Sequence, residues 1–194
     1  MATWVHETGH ALAAIILGRD VLGISINKDS SGVTQSIGRQ HRVEQAVVAF
    51  AGYPAPAALG SLLIFLSLSG NLHWAIFALG LLPCLMLLLQ RSLLGVLLTL
   101  IAGAAAIALY LAPTPASGIA VACLAGYLCA ASPQNIWELH RLRTSMNQSS
   151  QTEGTHSDAD TLAALTALPA LGWEAIFMAV SLTLPILALV LALR

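Results

Sequence analysis

Apolar residues along the chain are grouped into six segments that are separated by short polar stretches. Most of these segments approach the roughly 20 residues that a helix needs to cross ~30 Å of hydrocarbon. Small residues are dense inside them, which lets helices pack closely in lipid. The pattern predicts an all-α polytopic membrane protein with about six transmembrane helices, over residues 3–17, 43–68, 72–89, 92–112, 117–131 and 170–193.

The composition agrees with a membrane-embedded chain. Of the 194 residues, 57% are hydrophobic and 9% are charged, whereas a soluble domain has about 25% charged residues. Water-soluble globular classes are excluded, because a soluble fold of this size could not bury so much apolar surface. The formal net charge of −1 argues against a nucleic-acid binder, which must neutralise phosphates. We expect one membrane-embedded domain over residues 1–194, with the lipid bilayer around it.

Two polar stretches interrupt the apolar pattern. Residues 19–42 contain two strand-like runs, 21–26 and 32–37, joined by turn-forming residues. This pattern predicts a β-hairpin between the first two helices, either as a connector or as a strand edge for an extended substrate. Residues 141–160 are rich in Ser, Thr, Gln and Asn and predict a flexible loop, most mobile over 144–155.

Prolines and one short segment modify the helix prediction. Pro133 is predicted to end the fifth span, because proline removes a helical hydrogen bond. Pro54 and Pro56 predict a bend or local opening of the second span, which either lines a water-filled path or is a packing kink. As a helix, the first segment would be only about 22 Å long, which is shorter than the ~30 Å of membrane hydrocarbon. We therefore expect either a natural chain that starts upstream of Met1 or a partly submerged helix.

The basic residues predict the orientation in the membrane. Seven of the eight lie in connections on one side of the predicted bundle, and Arg194 lies on the other side. Lys and Arg concentrate on the cytoplasmic side of membrane proteins. The hairpin and the polar connection before the last span should therefore face the cytoplasm, with both chain ends outside. The seven residues are Arg19, Lys28, Arg39, Arg42, Arg91, Arg141 and Arg143.

The first segment carries an HExxH motif, from His6 to His10. On a helix, residues i and i+4 share one face, so both imidazoles can bind one Zn²⁺. Glu7 can act as the general base for a water that the metal activates. The alternative is a chance match or a polar cluster satisfied by hydrogen bonds. Ionisable residues inside an apolar helix favour the metal site, because they are costly there unless they have a function.

A hydrolytic zinc site needs a third protein ligand and an open position for water. The run from residue 157 to 162 precedes the last span, on the side where the first helix ends. Its polar residues also suit a helix N-cap, and the residues alone do not separate Asp158 from Asp160. Glu174 could cap the last helix or form a hydrogen bond with a zinc ligand, and the cap is the favoured interpretation. The candidates for the third ligand are Asp158, Asp160, His156, His41 and His140.

Four motifs in this order resemble the short bacterial branch of the site-2-protease-like intramembrane zinc metallopeptidases, the M50-type peptidases. They are the HETGHALAA run from His6, the GVT run from Gly32, the AGY run from Ala51, and the SDA run from Ser157. The resemblance implies His6, His10 and Asp158 as zinc ligands and Glu7 as the general base. It also implies a bacterial cytoplasmic membrane, with an active site that opens to the cytoplasm.

Three functions remain open at this point. The first is a zinc endopeptidase that cleaves membrane proteins or membrane-anchored peptides. The second is a non-catalytic module that binds zinc or partners, since Ser-Asp-Ala stands where better-known members carry an Asn/Leu-Asp-Gly type of motif. The third is a small metal transporter, which the sequence disfavours because its polar residues cluster at one depth.

Overall fold

The computed structural model describes residues 2–27, 31–38, 41–148 and 157–194, except for the side chains of 146–148. These residues form eight helices and one small antiparallel hairpin. The elements in chain order are α1 (Ala2–Ile16), β1 (Asp20–Ile26), β2 (Gly32–Ile37), α2 (Arg42–Ala51), α3 (Ala55–Leu68), α4 (Leu72–Leu87), α5 (Leu93–Leu111), α6 (Thr114–Gln148), α7 (Asp158–Leu165) and α8 (Ala170–Ala192).

Fewer helices than predicted are long and apolar enough to cross a membrane. Among the described residues, α5, α6 and α8 qualify, and a fourth span results if α2 and α3 count as one bent span. The short helices α1 and α4 have 15 and 16 residues. They cover about 22–24 Å, less than the ~30 Å of hydrocarbon. Six spans are therefore not confirmed, and the structure supports three to four.

The prediction that Pro133 ends the fifth span is wrong, because α6 continues through it to Gln148. A proline inside a helix is tolerated where neighbouring helices pack around it. The residue Ile136, one turn later, is 1% exposed and belongs to a buried cluster with Leu162 and Phe177. This packing keeps the helix intact beyond the proline.

The flexible loop predicted over 141–160 is helical at both of its ends. Residues 141–148 complete α6, and α7 begins at Asp158. The rest of the predicted mobile stretch, residues 149–155, lies outside the described residues. Local composition did not reveal that charged residues in this region pack against neighbouring helices, as described below.

The predicted hairpin is confirmed. The strands β1 and β2 pair antiparallel, from Asp20 opposite Ile37 to Ile26 opposite Gly32, and the turn residues 28–30 lie outside the described residues. The other edge of β1 is fastened to the connection between α4 and α5, because the amide of Ile24 donates to the Leu89 carbonyl at 2.7 Å. Along β2, the described residues provide no second strand.

The second apolar segment is broken between α2 and α3, which meet at a bend of 60°. Proline at position 54 ends the regular hydrogen bonding there. The carbonyl of Tyr53 instead accepts a hydrogen bond from the Ser132 hydroxyl at 2.6 Å, and Ser132 also contacts Ser181 at 2.7 Å. This contact from α6 satisfies a backbone group that the break leaves free, as buried backbone requires.

Close helix packing brings α1 to this break. A Cβ on Gly9 would lie 2.5 Å from the carbonyl oxygen of Ala51 and 2.6 Å from the Cβ of Ala55. Only glycine allows the two backbones to approach so closely. The HExxH motif of α1 is therefore held directly against the bend between α2 and α3.

Candidate metal centre

The two histidines of α1 point to the same place, as their spacing predicts. The Nε2 atoms of His6 and His10 are 3.0 Å apart, and the two rings are edge to face at 4.7 Å. The Nδ1 of His10 lies 2.7 Å from the carbonyl oxygen of Val48 on α2. A hydrogen bond from Nδ1 to that carbonyl would fix the orientation of the ring and direct Nε2 into the site, where it could bind a metal.

Asp158 reaches these histidines from the first turn of α7. Its Oδ2 lies 3.2 Å from the Nε2 of His6 and 3.2 Å from the Nε2 of His10. Burial by itself would raise the pKa of the Asp158 carboxyl. The nearby imidazoles of His10 and His6 outweigh burial and hold this pKa well below its usual range. The carboxylate is thus ionised, as a metal ligand must be.

The neighbouring carboxylate of Asp160 has a different partner. Ser157 is the N-cap of α7, and its hydroxyl and the Asp160 side chain form a reciprocal capping box. The Asp160 carboxylate also forms an ion pair with Arg143, at 2.8 Å. The structure therefore separates two roles that the sequence left open: Asp158 lies beside the imidazoles, and Asp160 caps the helix.

The other candidates for a third ligand lie elsewhere or cannot be placed. The side chain of His140 is paired with Glu174 at 3.0 Å. His41 is exposed, at the N-cap position of α2, and His156 lies outside the described residues. In the described part of the chain, the group of His, Cys, Asp or Glu side chains that could hold a metal ion consists of His6, His10 and Asp158.

The geometry of this group fits a zinc ion. The three facing atoms form a triangle with sides of 3.0, 3.2 and 3.2 Å. Ligands at 2.0–2.1 Å from a tetrahedral zinc would be about 3.3–3.4 Å apart. In addition, Oδ2 of Asp158 is buried and has no well-aligned hydrogen bond from any described residue. A buried carboxylate oxygen needs a positive partner, which a metal ion bound between the three side chains would supply in place of a protonated imidazole.

The carboxylate of Glu7 lies beside this group and is held by the hairpin. Glu7 is 4% exposed. Its Oε2 accepts a hydrogen bond of 2.6 Å from the hydroxyl of Thr34 on β2, and the same hydroxyl is 3.1 Å from the Glu7 carbonyl oxygen. A Cβ on Gly32 would lie 2.5 Å from the Cγ of Glu7. The strand β2 therefore packs directly on the residue that the motif predicts as the base.

The break between α2 and α3 forms another wall of the site. A Cβ on Gly52 would overlap the Nε2 of His10 and lie 2.6 Å from the Cε1 of His6. The ring of Tyr53 packs edge to face on His6 at 4.8 Å and stacks on Phe177 at 5.1 Å. Together these elements enclose a cavity of about 450 Å³, within the size range of ligand sites.

One interpretation from sequence changes at this site, and one contact was not predicted. Glu174 does not cap α8, whose N-cap is Pro169; its buried carboxylate instead pairs with His140 and Arg143 at 3.0 Å each. The role of Thr34 was missed, although it belongs to the GVT run. No local signal could reveal it, because the Glu7 contact depends on how the hairpin folds back onto α1.

The family model for Peptidase M50B-like proteins matches residues 1–188. The chain belongs to the Peptidase M50B-like family. This confirms the resemblance to M50-type, site-2-protease-like peptidases that the motifs indicate. Neither the curated proteins nor the solved structures contain a significant match to the chain.

Membership in the M50B-like family agrees with the apolar helices, and together they indicate an integral membrane protein of a peptidase family. M50 peptidases are generally zinc-dependent. The candidate group of His6, His10 and Asp158 is compatible with zinc, because it combines two nitrogen donors and one oxygen donor at distances that a zinc ion could bridge.

Proposed function

We propose that this chain is an intramembrane zinc-dependent endopeptidase that hydrolyses peptide bonds of membrane proteins or membrane-anchored peptides. The observation that carries the proposal is the meeting of His6, His10 and Asp158 at zinc spacing, next to the buried carboxylate of Glu7. Three protein ligands leave one position open, as in hydrolytic zinc sites.

Each residue has a separate task in this reaction. The two imidazoles and the Asp158 carboxylate hold the ion, which when bound lowers the pKa of water and polarises the scissile carbonyl. Glu7 accepts a proton from the attacking water and later delivers it to the leaving amide nitrogen. The Thr34 hydroxyl, 2.6 Å from Oε2 of Glu7, keeps the carboxylate oriented during both transfers.

The position of the site is compatible with a peptide substrate from the membrane. The cavity is lined by α1, by the break between α2 and α3, by β2 and by α7, and the bent pair α2–α3 is itself a candidate membrane span. A substrate helix must unwind first, because a helical backbone hides its carbonyls in hydrogen bonds. Among the described residues, β2 has β1 as its one strand partner, and its other edge could receive the unwound segment as an added strand.

The decisive experiment compares Glu7→Gln with wild type on a model transmembrane substrate, using purified full-length protein. We expect one zinc per chain in both proteins. Turnover by the variant should be about 10²–10⁴-fold lower than that of wild type. Glu138→Gln is the matched control, because Glu138 is exposed on α6. Removal of zinc by a chelator should stop cleavage, and added zinc should restore it.

Three results would contradict the proposal. Retained turnover in Glu7→Gln would show that this residue is not the base. Tight zinc binding by the wild type without cleavage of any transmembrane substrate would favour the alternative, a non-catalytic zinc-binding module. Zinc flux through proteoliposomes, with several weak sites, would instead indicate a transporter.

A further inference from the structure

Charged side chains form a connected cluster where α6, α7 and α8 meet, outside the candidate metal centre. Arg143 of α6 is at its middle. Its Nη2 lies 3.0 Å from the Ser157 hydroxyl and 2.8 Å from Asp160, and its Nε lies 3.0 Å from Glu174. One guanidinium thus joins the start of α7 to the side of α8.

The burial of Glu174 favours a stable ion pair with Arg143. The Glu174 side chain is 4% exposed, and a carboxylate so buried requires partners of opposite charge. These partners are Arg143 and, at 3.0 Å from the other carboxylate oxygen, the Nδ1 of His140. A guanidinium presents its donors in a rigid fork. The contact with Glu174 therefore also determines where Arg143 meets α7.

The residues of α7 that Arg143 contacts lie on both sides of the candidate ligand. Ser157 precedes Asp158 in the chain, and Asp160 follows it two residues later. A helix of eight residues, such as α7, has little stability of its own, so its first turn depends on outside contacts. Arg143 binds both halves of the capping box that forms this turn.

We propose that Arg143 is a positioning residue, which holds the first turn of α7 so that the Asp158 carboxylate meets the two imidazoles. Glu174 supports this role by holding the guanidinium. The inference rests on the proposed function, because it assumes that Asp158 is a zinc ligand. Removing a residue that orients a metal ligand typically weakens metal binding about 10–100-fold.

The test measures zinc affinity of the purified full-length protein by competition with a chromophoric chelator. We expect Arg143→Gln to bind zinc about 10–100-fold more weakly than wild type. Arg141→Gln should leave the affinity unchanged, because Arg141 is exposed on the same helix. Arg143→Lys keeps the charge without the fork, so its affinity should lie between those of Arg143→Gln and wild type.

A double variant separates a positioning role from a general structural one. If Arg143 acts through Asp158, then Arg143→Gln should add no loss of zinc affinity in the Asp158→Ala background, since coupled residues are non-additive. The Co²⁺-loaded Arg143→Gln protein should also show an absorption spectrum shifted towards that of Asp158→Ala. If Arg143→Gln does not fold, Arg143→Lys answers the same questions with a smaller expected loss.

The outcomes distinguish this inference from the proposed function. Wild-type affinity in Arg143→Gln, beside a clear loss in Asp158→Ala, would overturn the role of Arg143 alone. An equal loss from Arg143→Gln with and without Asp158 would also overturn it. If Asp158→Ala binds zinc as well as wild type does, then Asp158 is not a ligand, and both the proposed site and this inference fail.

Discussion

At the scale of single residues, the candidate centre depends on hydrogen bonds that come from outside the HExxH motif. The Nδ1 of His10 faces the Val48 carbonyl at 2.7 Å, and Oε2 of Glu7 accepts from Thr34 at 2.6 Å. Such contacts fix the orientation of a ring or a carboxylate, and for a histidine that binds a metal they also raise the basicity of the ligand. In the proposed reaction, the motif would supply the reacting groups, and these neighbours would hold them in place.

Thr34→Val removes the hydroxyl that contacts Glu7 and keeps the shape of the side chain. We expect kcat for a transmembrane substrate to fall about 10–150-fold, because a hydrogen bond to a charged group contributes about 1.5–3 kcal/mol. The zinc content should not change, since Thr34 contacts no candidate ligand. Steady-state cleavage and metal analysis of the purified variant measure both quantities.

Thr34→Ser is the matched variant, because it keeps the hydroxyl and loses only a methyl group. Its turnover should remain close to that of wild type. Equal activity of the valine and serine variants would show that the Thr34 hydroxyl has no part in orienting Glu7.

At the scale of elements, the break between α2 and α3 shapes the site. Prolines at 54 and 56 predict a bend there, and the sequence left open whether it serves the site or only packing. In the structure, Gly52 packs against both histidines and Tyr53 packs on His6. The break therefore forms a wall of the candidate centre in addition to any effect on helix packing.

Gly52→Ala tests how closely this element fits the histidines. The added Cβ would lie 2.6 Å from the Cε1 of His6 and overlap His10, so one of the rings or the α2–α3 bend must move. We expect most of the bound zinc to be lost, because ligand positions tolerate only about 0.5 Å of displacement. Metal analysis after purification measures the stoichiometry.

Gly126→Ala on α6 is the control for this substitution, because its Cβ would meet no atom within 4 Å. It should keep the zinc content of wild type. A full complement of zinc in Gly52→Ala would contradict the geometry of the centre described here.

At the scale of the whole molecule, the arrangement of charge complements the apolar helices. Many large apolar side chains of α5 and α8 are exposed, as expected for surfaces that face lipid. Basic residues lie near the hairpin: Arg91 donates to the Leu22 carbonyl at 3.0 Å, and Arg19 pairs with Glu44 at 3.8 Å. The charged end of the molecule is therefore also the end at which the hairpin reaches the site.

The positive-inside rule predicts that this end faces the cytoplasm. We expect Gln35→Cys, on β2, to react with a membrane-impermeant maleimide only after bacterial cells are permeabilised. Ser69→Cys, between α3 and α4, should react in intact spheroplasts. The natural cysteines Cys84, Cys123 and Cys129 are first replaced by alanine. The reverse labelling pattern would place the site on the outside.

Patterns that depend on near neighbours in the chain predicted most of the fold correctly. The hairpin and the helical segments follow from residue periodicity, which reflects local backbone geometry. The pairing of His6 with His10 has the same origin, because an i, i+4 spacing brings the two side chains together within any helix. The six predicted spans are not confirmed, since apolar composition alone does not give the length of each helix.

The sequence by itself determined the apolar helices, the hairpin and the two histidines, because each depends on residues within one or two turns. The residues alone left Asp158 and Asp160 open and the family resemblance implied Asp158, but only the tertiary structure places the Asp158 carboxylate beside the two imidazoles. It also brings Thr34 to Glu7, and Arg143 to Ser157 and Asp160. Thr34 is 27 residues from Glu7, and Arg143 is 14 residues from Ser157. Such contacts result from the packing of whole elements, which no local pattern encodes.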